Sequence, residues 1–389
     1  MKLRVLALIL ASALAIGEPA SGQSTPAPYE IDGILPLTGP QTFSGRAELQ
    51  TLQIIEAFVN KAGGIGGRPI HFVISDDQSS PQTTVQLTNE LIGKQVPMIM
   101  GTSSTANCLA QMPLVAKDGP VTYCLSPGVR PPEGSYVFSA SVFAADLASV
   151  FVRYFRLRGW NRIAIISSTD ASGQTFERYF DQALEQPENK GVVAVDHEHF
   201  APLDLSVAAQ LARIKTANPQ AIIAWTTGTP FGTVLRGIKD AGIDIPIGGG
   251  NGNMTYAQMT QYTSILPKQL YFPGQAGVNT LLGTGAWRAA QVAYFNAFKA
   301  AGARPDLANS QAWDAALLYI DALKHAGLSA SAAQIHAYIE GLHDWAGVYG
   351  VYDFRDGSQR GIGQNSTIMY TWDADKADFA VTSKPGGYL

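Results

Sequence analysis

The sequence predicts an α/β protein built as two doubly wound parallel-sheet lobes. Three observations predict it. Short apolar runs alternate with amphipathic helical stretches along most of the chain, the pattern of parallel strands covered by helices on both faces. Residues 60–77 join a helix to a strand: Asn60, Gly63 and Gly64 supply the left-handed turn, and an apolar strand follows that stops at Asp76 and Asp77. The length of 389 residues exceeds what one hydrophobic core usually serves, so two lobes are expected.

The chain opens with Lys2 and Arg4, an apolar run over residues 5–16, and the small residues Ala20, Ser21 and Gly22. That arrangement predicts a cleavable export leader over residues 1–22 and a soluble protein in a bacterial periplasm. The apolar run is short for a membrane span, and no later stretch is long and apolar enough for one. The net charge of −4, with only 15% charged residues, speaks against nucleic acid as a partner. Cys108 and Cys124 are the only cysteines. An oxidising compartment permits a bridge between them, the preferred reading over two separate buried thiols.

Residues 31–37 read as a strand and 44–61 as a helix whose apolar face includes Leu49, Leu52, Ile55 and Phe58. Strands at 70–75, 97–101 and 121–125 alternate with helices at 81–94, opened by Pro81, and 106–117. A strand at 136–140 ends this series. The pattern restarts with helices at 143–158, 174–185, 205–217, 230–241 and 255–262, interleaved with strands at 162–167, 192–200, 221–226, 246–249 and 270–273. Helices at 286–301, 310–326 and 331–341 follow. Residues 350–357 and 366–372 read as two arms of one antiparallel hairpin.

Open α/β sheets bind ligands beyond the carboxyl ends of their strands, so the loops there are the candidates. After the first strand, residues 37–45 offer glycines, a helix start and one aromatic, Phe43. Thr102, Ser103, Ser104 and Thr105 gather four hydroxyls at one helix start, more than capping needs, which suits a carboxylate. Ser126 follows Cys124 at the end of the next strand. In the second series the candidates are Asp170 and Ser172, then Trp225 and Thr227, then Asn251 and Asn253. Asp170 has capping of the following helix as its commoner fate. His197 and His199 would share a strand face; a solvated face is expected there rather than a metal site. No phosphate-binding loop, zinc-protease motif or nucleophile elbow is present, and no cofactor or catalytic group is expected.

Residues 34–39, 60–68, 76–77, 91–92 and 350–354 together resemble the solute receptors of branched-chain amino acid ABC transporters. The resemblance implies the type I periplasmic binding fold, with its two lobes joined by three crossovers. It places residues 28–140 and 276–347 in the first lobe, and 141–275 and 348–389 in the second. It also implies a monomeric receptor that closes on its solute and delivers it to membrane permease subunits. In that family the first lobe holds the solute carboxylate at loops matching Thr102 to Ser104 and Cys124 to Ser126. The second lobe usually offers a Tyr-Gly pair, here Ser172-Gly173, and an acid for the ammonium, here Asn251. A buried ammonium without a carboxylate partner is costly. The expected solute is therefore a small organic acid, benzoate-like, lacking an amino group. The alternative is an amino-acid receptor, with Asp170 as the ammonium partner. A cleft enzyme or a ligand-sensing ectodomain is less in keeping with the motifs.

Overall fold

The computed structural model describes residues 26–389, and the expected leader at 1–22 lies outside them. The first lobe holds β1 (Tyr29–Leu35), β2 (Ile70–Asp76), β3 (Met98–Met100), β4 (Val121–Cys124) and β5 (Val137–Ser139). These pair in parallel in the order β2-β1-β3-β4-β5. Helices α1 (Thr42–Lys61), α2 (Pro81–Gly93) and α3 (Thr105–Val115) connect them. The apolar stripe of α1 buries Leu52, Ile55 and Val59, each fully buried side chain of this kind contributing roughly 1.5–3 kcal/mol.

After α1 the chain turns at Gly63 and Gly64, both with positive φ. A Cβ at Gly64 would stand 2.0 Å from the Arg68 carbonyl oxygen, so only glycine fits. Asn60 was expected to share this left-handed turn; instead it stays helical. Its amide is used differently, donating to Ile70 O at 2.8 Å and accepting from Ile70 N at 2.7 Å. It thereby supplies the hydrogen bonds a neighbouring strand would give.

The second lobe begins with α4 (Ala144–Leu157) and continues as β6 (Arg162–Ser168), α5 (Ala171–Leu184), β7 (Val193–Phe200) and α6 (Ala208–Thr216). Then come β8 (Ala221–Trp225), α7 (Pro230–Asp240), β9 (Ile247–Gly249), α8 (Tyr256–Gln261) and β10 (Leu270–Gln275). The chain returns to the first lobe as α9 (Gly285–Ala300), α10 (Leu307–Ala326), α11 (Ala332–Glu340) and a small hairpin of β11 (His343–Ala346) and β12 (Val351–Asp353). Asp306 and Asn309 form a capping box at the start of α10, and the Tyr319 hydroxyl lies 2.9 and 2.8 Å from the carbonyls of Ile99 and Val121. That pair of contacts fixes α10 against β3 and β4. The last passage leads to β13 (Thr367–Asp373) and β14 (Asp378–Val381), which complete the second sheet in the order β14-β13-β10-β9-β8-β6-β7. Three passages thus join the lobes, after β5, after β10 and before β13.

Two expectations change here. The arms 350–357 and 366–372 do not pair with each other: β12 pairs with β11, while β13 pairs with β10 and β14. Each arm finds a partner nearer its own sheet, and β14 has too little apolar alternation to announce itself. Residues 348–354, expected in the second lobe, pack on the first. Val348 N and Tyr349 N donate to Asp314 of α10 at 2.7 and 3.1 Å, and the Tyr352 hydroxyl donates to the same carboxyl at 2.8 Å.

Cys108 of α3 and Cys124 of β4 are joined in a disulfide, with Cα atoms 6.0 Å apart. His197 and His199 do share one face of β7, where both meet Glu177 of α5, at 2.9 Å from His197 Nδ1 and from His199 Nε2. Ser167 donates to the same carboxyl at 2.6 Å. Burial alone would raise the Glu177 pKa; these bonds outweigh it and hold the carboxyl at about 2. Among the described residues no cluster with metal-binding composition is found, and no helix is long and apolar enough to cross a membrane.

Candidate functional site

The carboxyl ends of the two parallel sheets face each other across a cleft. On the first lobe, two adjacent acids at the end of β2 organise two separate loops. Asp76 accepts from Leu37 N, Thr38 N and the Thr38 hydroxyl at 2.9, 3.2 and 2.7 Å, which shapes the loop leading into α1. Asp77, fully buried, accepts from Ser79 N at 2.8 Å, the Thr102 hydroxyl at 2.5 Å, Asn107 Nδ2 at 2.8 Å and the Thr84 hydroxyl at 3.3 Å. That set fixes the loop between β3 and α3.

The hydroxyl cluster at 102–105 therefore divides its labour. The Thr102 hydroxyl faces inward to Asp77, and Thr105 pairs with the buried Ser126 hydroxyl at 2.8 Å. Ser103 and Ser104 remain half-buried at the cleft side. Ser103 donates to Glu48 of α1. Ser104 sits at the start of α3 without a side-chain capping bond among the described residues. The first backbone N–H groups of α3 and the Ser104 hydroxyl thus point the positive helix end at the cleft. Cys124, a candidate contact, is spent in the disulfide and buried.

On the second lobe, Asn253 ties the loop after β8, donating to Thr226 O at 2.7 Å and accepting from Gly228 N at 3.1 Å. Asp170 caps α5, accepting from Ser172 N and Gly173 N at 3.0 Å each and from the Ser168 hydroxyl at 3.0 Å. Ser172 meets the site region only through this cap. Trp225 stacks on Phe176 at 3.5 Å within the lobe's core. Asn253 and Asp170 are therefore supports, while Trp225 has its ring in the core and its buried indole Nε1 without a partner among the described residues. Asn251 differs: it is 1% exposed, and both polar atoms of its amide lack a partner among the described residues. The Thr226 hydroxyl is in the same condition.

The lobes touch at both rims of the cleft. Gln41 Nε2 donates to the Thr227 hydroxyl at 2.8 Å, and Thr229 N donates to Pro40 O at 3.0 Å. Gly228, at φ +76°, lies so close that a Cβ there would be 2.0 Å from Pro40 O. Phe43 meets Tyr262 edge-on at 6.3 Å, and Leu307 N reaches Met254 O at 3.4 Å. At the crossovers, Ser139 N donates to Gln359 O at 2.9 Å, and the buried Arg360 guanidinium donates to the carbonyls of Val129 and Ser141. The arrangement is a closed one, with Gln41 and Thr227 as a direct latch. A groove of about 490 Å³ beside Ile54, Phe58 and Ala297 lies on the outer helical face of the first lobe, away from the strand ends.

Sequence reasoning missed Gln41, Glu48 and Arg360. Glu48 stands in mid-helix between Ala47 and Leu49 with nothing local to mark it, and its partner Ser103 is far along the chain.

The pattern of a family described as periplasmic binding protein matches residues 28–377. The Leu/Ile/Val-binding protein homolog 3 of Brucella melitensis is 23% identical over 228 residues, covering 57% of this chain and 61% of that protein. The chain spans about three fifths of the length of the curated relatives it matches. A branched-chain amino acid transporter substrate-binding protein from Streptococcus pneumoniae, solved with isoleucine, superposes with a TM-score of 0.75 at 18% identity, covering 91% of this chain and 99% of that one. A solute-binding protein of an ABC transporter from Rhodopseudomonas palustris, solved with benzoate, gives 0.74 at 18% identity, covering 91% and 95%.

Proposed function

The chain belongs to the periplasmic binding protein family, and on that premise we propose that it is the periplasmic solute receptor of an ABC importer, closing its lobes on a small aromatic, benzoate-like acid. The solute carboxylate is met by the start of α3, with the Ser104 hydroxyl and backbone N–H groups that a helix leaves unpaired at this end. The closed lobes then present one surface to permease subunits, as a monomer.

The observation that carries this reading is Asn251. A fully buried amide with both polar atoms unpartnered among the described residues costs roughly 1–3 kcal/mol per group unless something in the cleft bonds to it. An amide is a neutral partner: its Nδ2 donates to a carboxylate or carbonyl oxygen, its Oδ1 accepts from a ring hydroxyl, and it offers an ammonium no countercharge. The benzoate complex of a structural neighbour is in keeping with this.

Isothermal calorimetry with benzoate and its ring-hydroxylated derivatives, set against leucine and isoleucine, tests the reading. Micromolar binding of an aromatic acid, weakened about tenfold by Asn251→Ala, is the expected result. Tight binding of leucine with no response to aromatic acids sinks it. The second reading, an amino-acid receptor, is favoured by a carboxyl on the first-lobe side at Glu48, and by relatives named for binding branched-chain amino acids and a structural neighbour solved with isoleucine.

A further inference from the structure

Glu48 lies in the early part of α1, 0% exposed, near Ser103, Asp77 and Asp306. Ser103, from the loop after β3, donates to Glu48 Oε2. Asp306 stands at the start of α10, whose next residue, Leu307, bonds Met254 just after the Asn251 loop. Glu48 Oε1 has no partner among the described residues. A buried carboxyl with one oxygen satisfied and the other without a protein partner has a bond left to make, which the solute can supply.

Its charge state follows from what surrounds it. The titratable groups facing it are Asp77, from the end of β2, and Asp306, both carboxyls. Among the described residues no ion pair includes Glu48, Asp77 or Asp306. Burial, opposed by the Ser103 bond and reinforced by those two acids, pushes Glu48 up to about 8. A carboxyl so placed is a hydrogen-bond donor at neutral pH, as a buried acid kept protonated in an apolar site can be.

We propose that Glu48 serves the site as a neutral acid whose Oε1 hydroxyl donates to the solute carboxylate, so that solute and proton are held together. The inference rests on the organic-acid reading above and adds to it a residue, a role and a pH dependence. The start of α3 takes one side of the carboxylate through N–H groups, and Glu48, linked to that start through Ser103, takes another oxygen. Ionised, Glu48 would set two anions side by side in a low-dielectric cleft, which costs several kcal/mol. Only the protonated receptor therefore binds the acid well.

The test is calorimetry of the intact mature protein with benzoate and its hydroxy derivatives from about pH 6 to about pH 9.5, in buffers of unlike ionisation enthalpy. Affinity should be level up to about pH 8 and then fall by up to about tenfold per pH unit, with net proton uptake rising toward about one per solute. Glu48→Gln keeps a donor that does not titrate, so it should bind within about threefold of the wild type at neutral pH and lose the pH dependence. Glu48→Ala, checked for folding by circular dichroism, should weaken binding about tenfold and also flatten the profile. A wild-type profile that stays level or rises with pH overturns the inference while leaving the function standing. So does a folded Glu48→Gln that no longer binds. Leucine affinity that climbs as pH rises through about 8 assigns Glu48 to an ammonium and overturns it too. Failure of every aromatic acid at every pH overturns the function itself, and the inference with it.

Discussion

On the first lobe, Glu48, Asp306 and Asp314 are wholly buried, and burial lifts them to about 8, 7 and 6 against the hydrogen bonds they accept. On the second lobe, Glu177 is less deeply buried and is held at about 2, because two histidines and Ser167 outweigh its burial. The difference teaches that depth and the charge of the donors decide the state of a carboxyl together: Asp314 also has three donors, but it lies deeper and none of them is a histidine. Asp306 and Asp314 receive several backbone N–H groups and still stay raised, since no cation joins them among the described residues. The second lobe spends its histidines on a structural acid, while on the first lobe Glu48 is raised the furthest of the three.

The largest consequence is that these two sets of carboxyls should respond to pH in opposite directions. The raised first-lobe carboxyls stabilise the fold below their unfolded values, and that contribution is lost as pH climbs through about 6, 7 and 8. The lowered Glu177 stabilises above its unfolded value, and that contribution is lost as pH falls toward about 2. His197, raised by its bond to Glu177 ahead of the opposing effect of burial, adds stability that fades as pH rises past its folded value. Hydrogen exchange read segment by segment, corrected for intrinsic rates, should show the surroundings of Glu48, Asp306 and Asp314 loosening as pH rises toward about 8, and those of Glu177 loosening in acid. Parallel profiles would break the comparison.

Next in size is Asp77→Ala. It leaves Thr102, Asn107, Thr84 and Ser79 N without their shared acceptor, at a cost of about 2–4 kcal/mol in denaturant unfolding. The exchange increase should centre on the loops after β2 and β3. Protection lost equally in both lobes would mean that Asp77 supports the whole molecule instead of one half of the site.

The β-α alternation was legible because strand and helix periods are local, and the hydroxyls at 102–105 were legible as a cluster. Their division was not. Thr102 turns inward only because Asp77, distant in sequence, lies beneath it, and Ser103 turns to Glu48 for the same kind of reason. Asn251 could be seen as a neutral residue where an acid was expected, but its lack of partners is a property of the folded loop. Trp225 was legible as a strand-end aromatic, but that its ring stacks on Phe176 while its indole Nε1 stays without a partner among the described residues is a property of the fold. The tail was misread because strand pairing is settled by which sheet edge is near, and the sequence carries no sign of that.

A smaller effect is expected from Asp170→Ala, the second-lobe counterpart of Asp77. Removing a helix cap costs about 1 kcal/mol, so the melting shift should be well below that of Asp77→Ala. An equal or greater shift would show that the second lobe also hangs its loop on one carboxyl. Smallest is Gln41→Ala, which removes the latch to Thr227. It should cost about 0.5–1 kcal/mol of closure, seen as a larger radius of gyration in scattering and a slightly weaker affinity, with unfolding unchanged. An altered unfolding midpoint would make Gln41 part of the first lobe's fabric and not of the latch.

Asp76 and Asp77 are consecutive residues, yet one shapes the loop into α1 and the other the loop into α3. Neither loop can shift without dragging the same peptide unit. The first-lobe half of the site is in that sense one machined part with interchangeable tips. Solute preference in this scaffold should accordingly be re-engineered by exchanging tips such as Ser103, Ser104 and Glu48, with the backbone that carries them left as it stands.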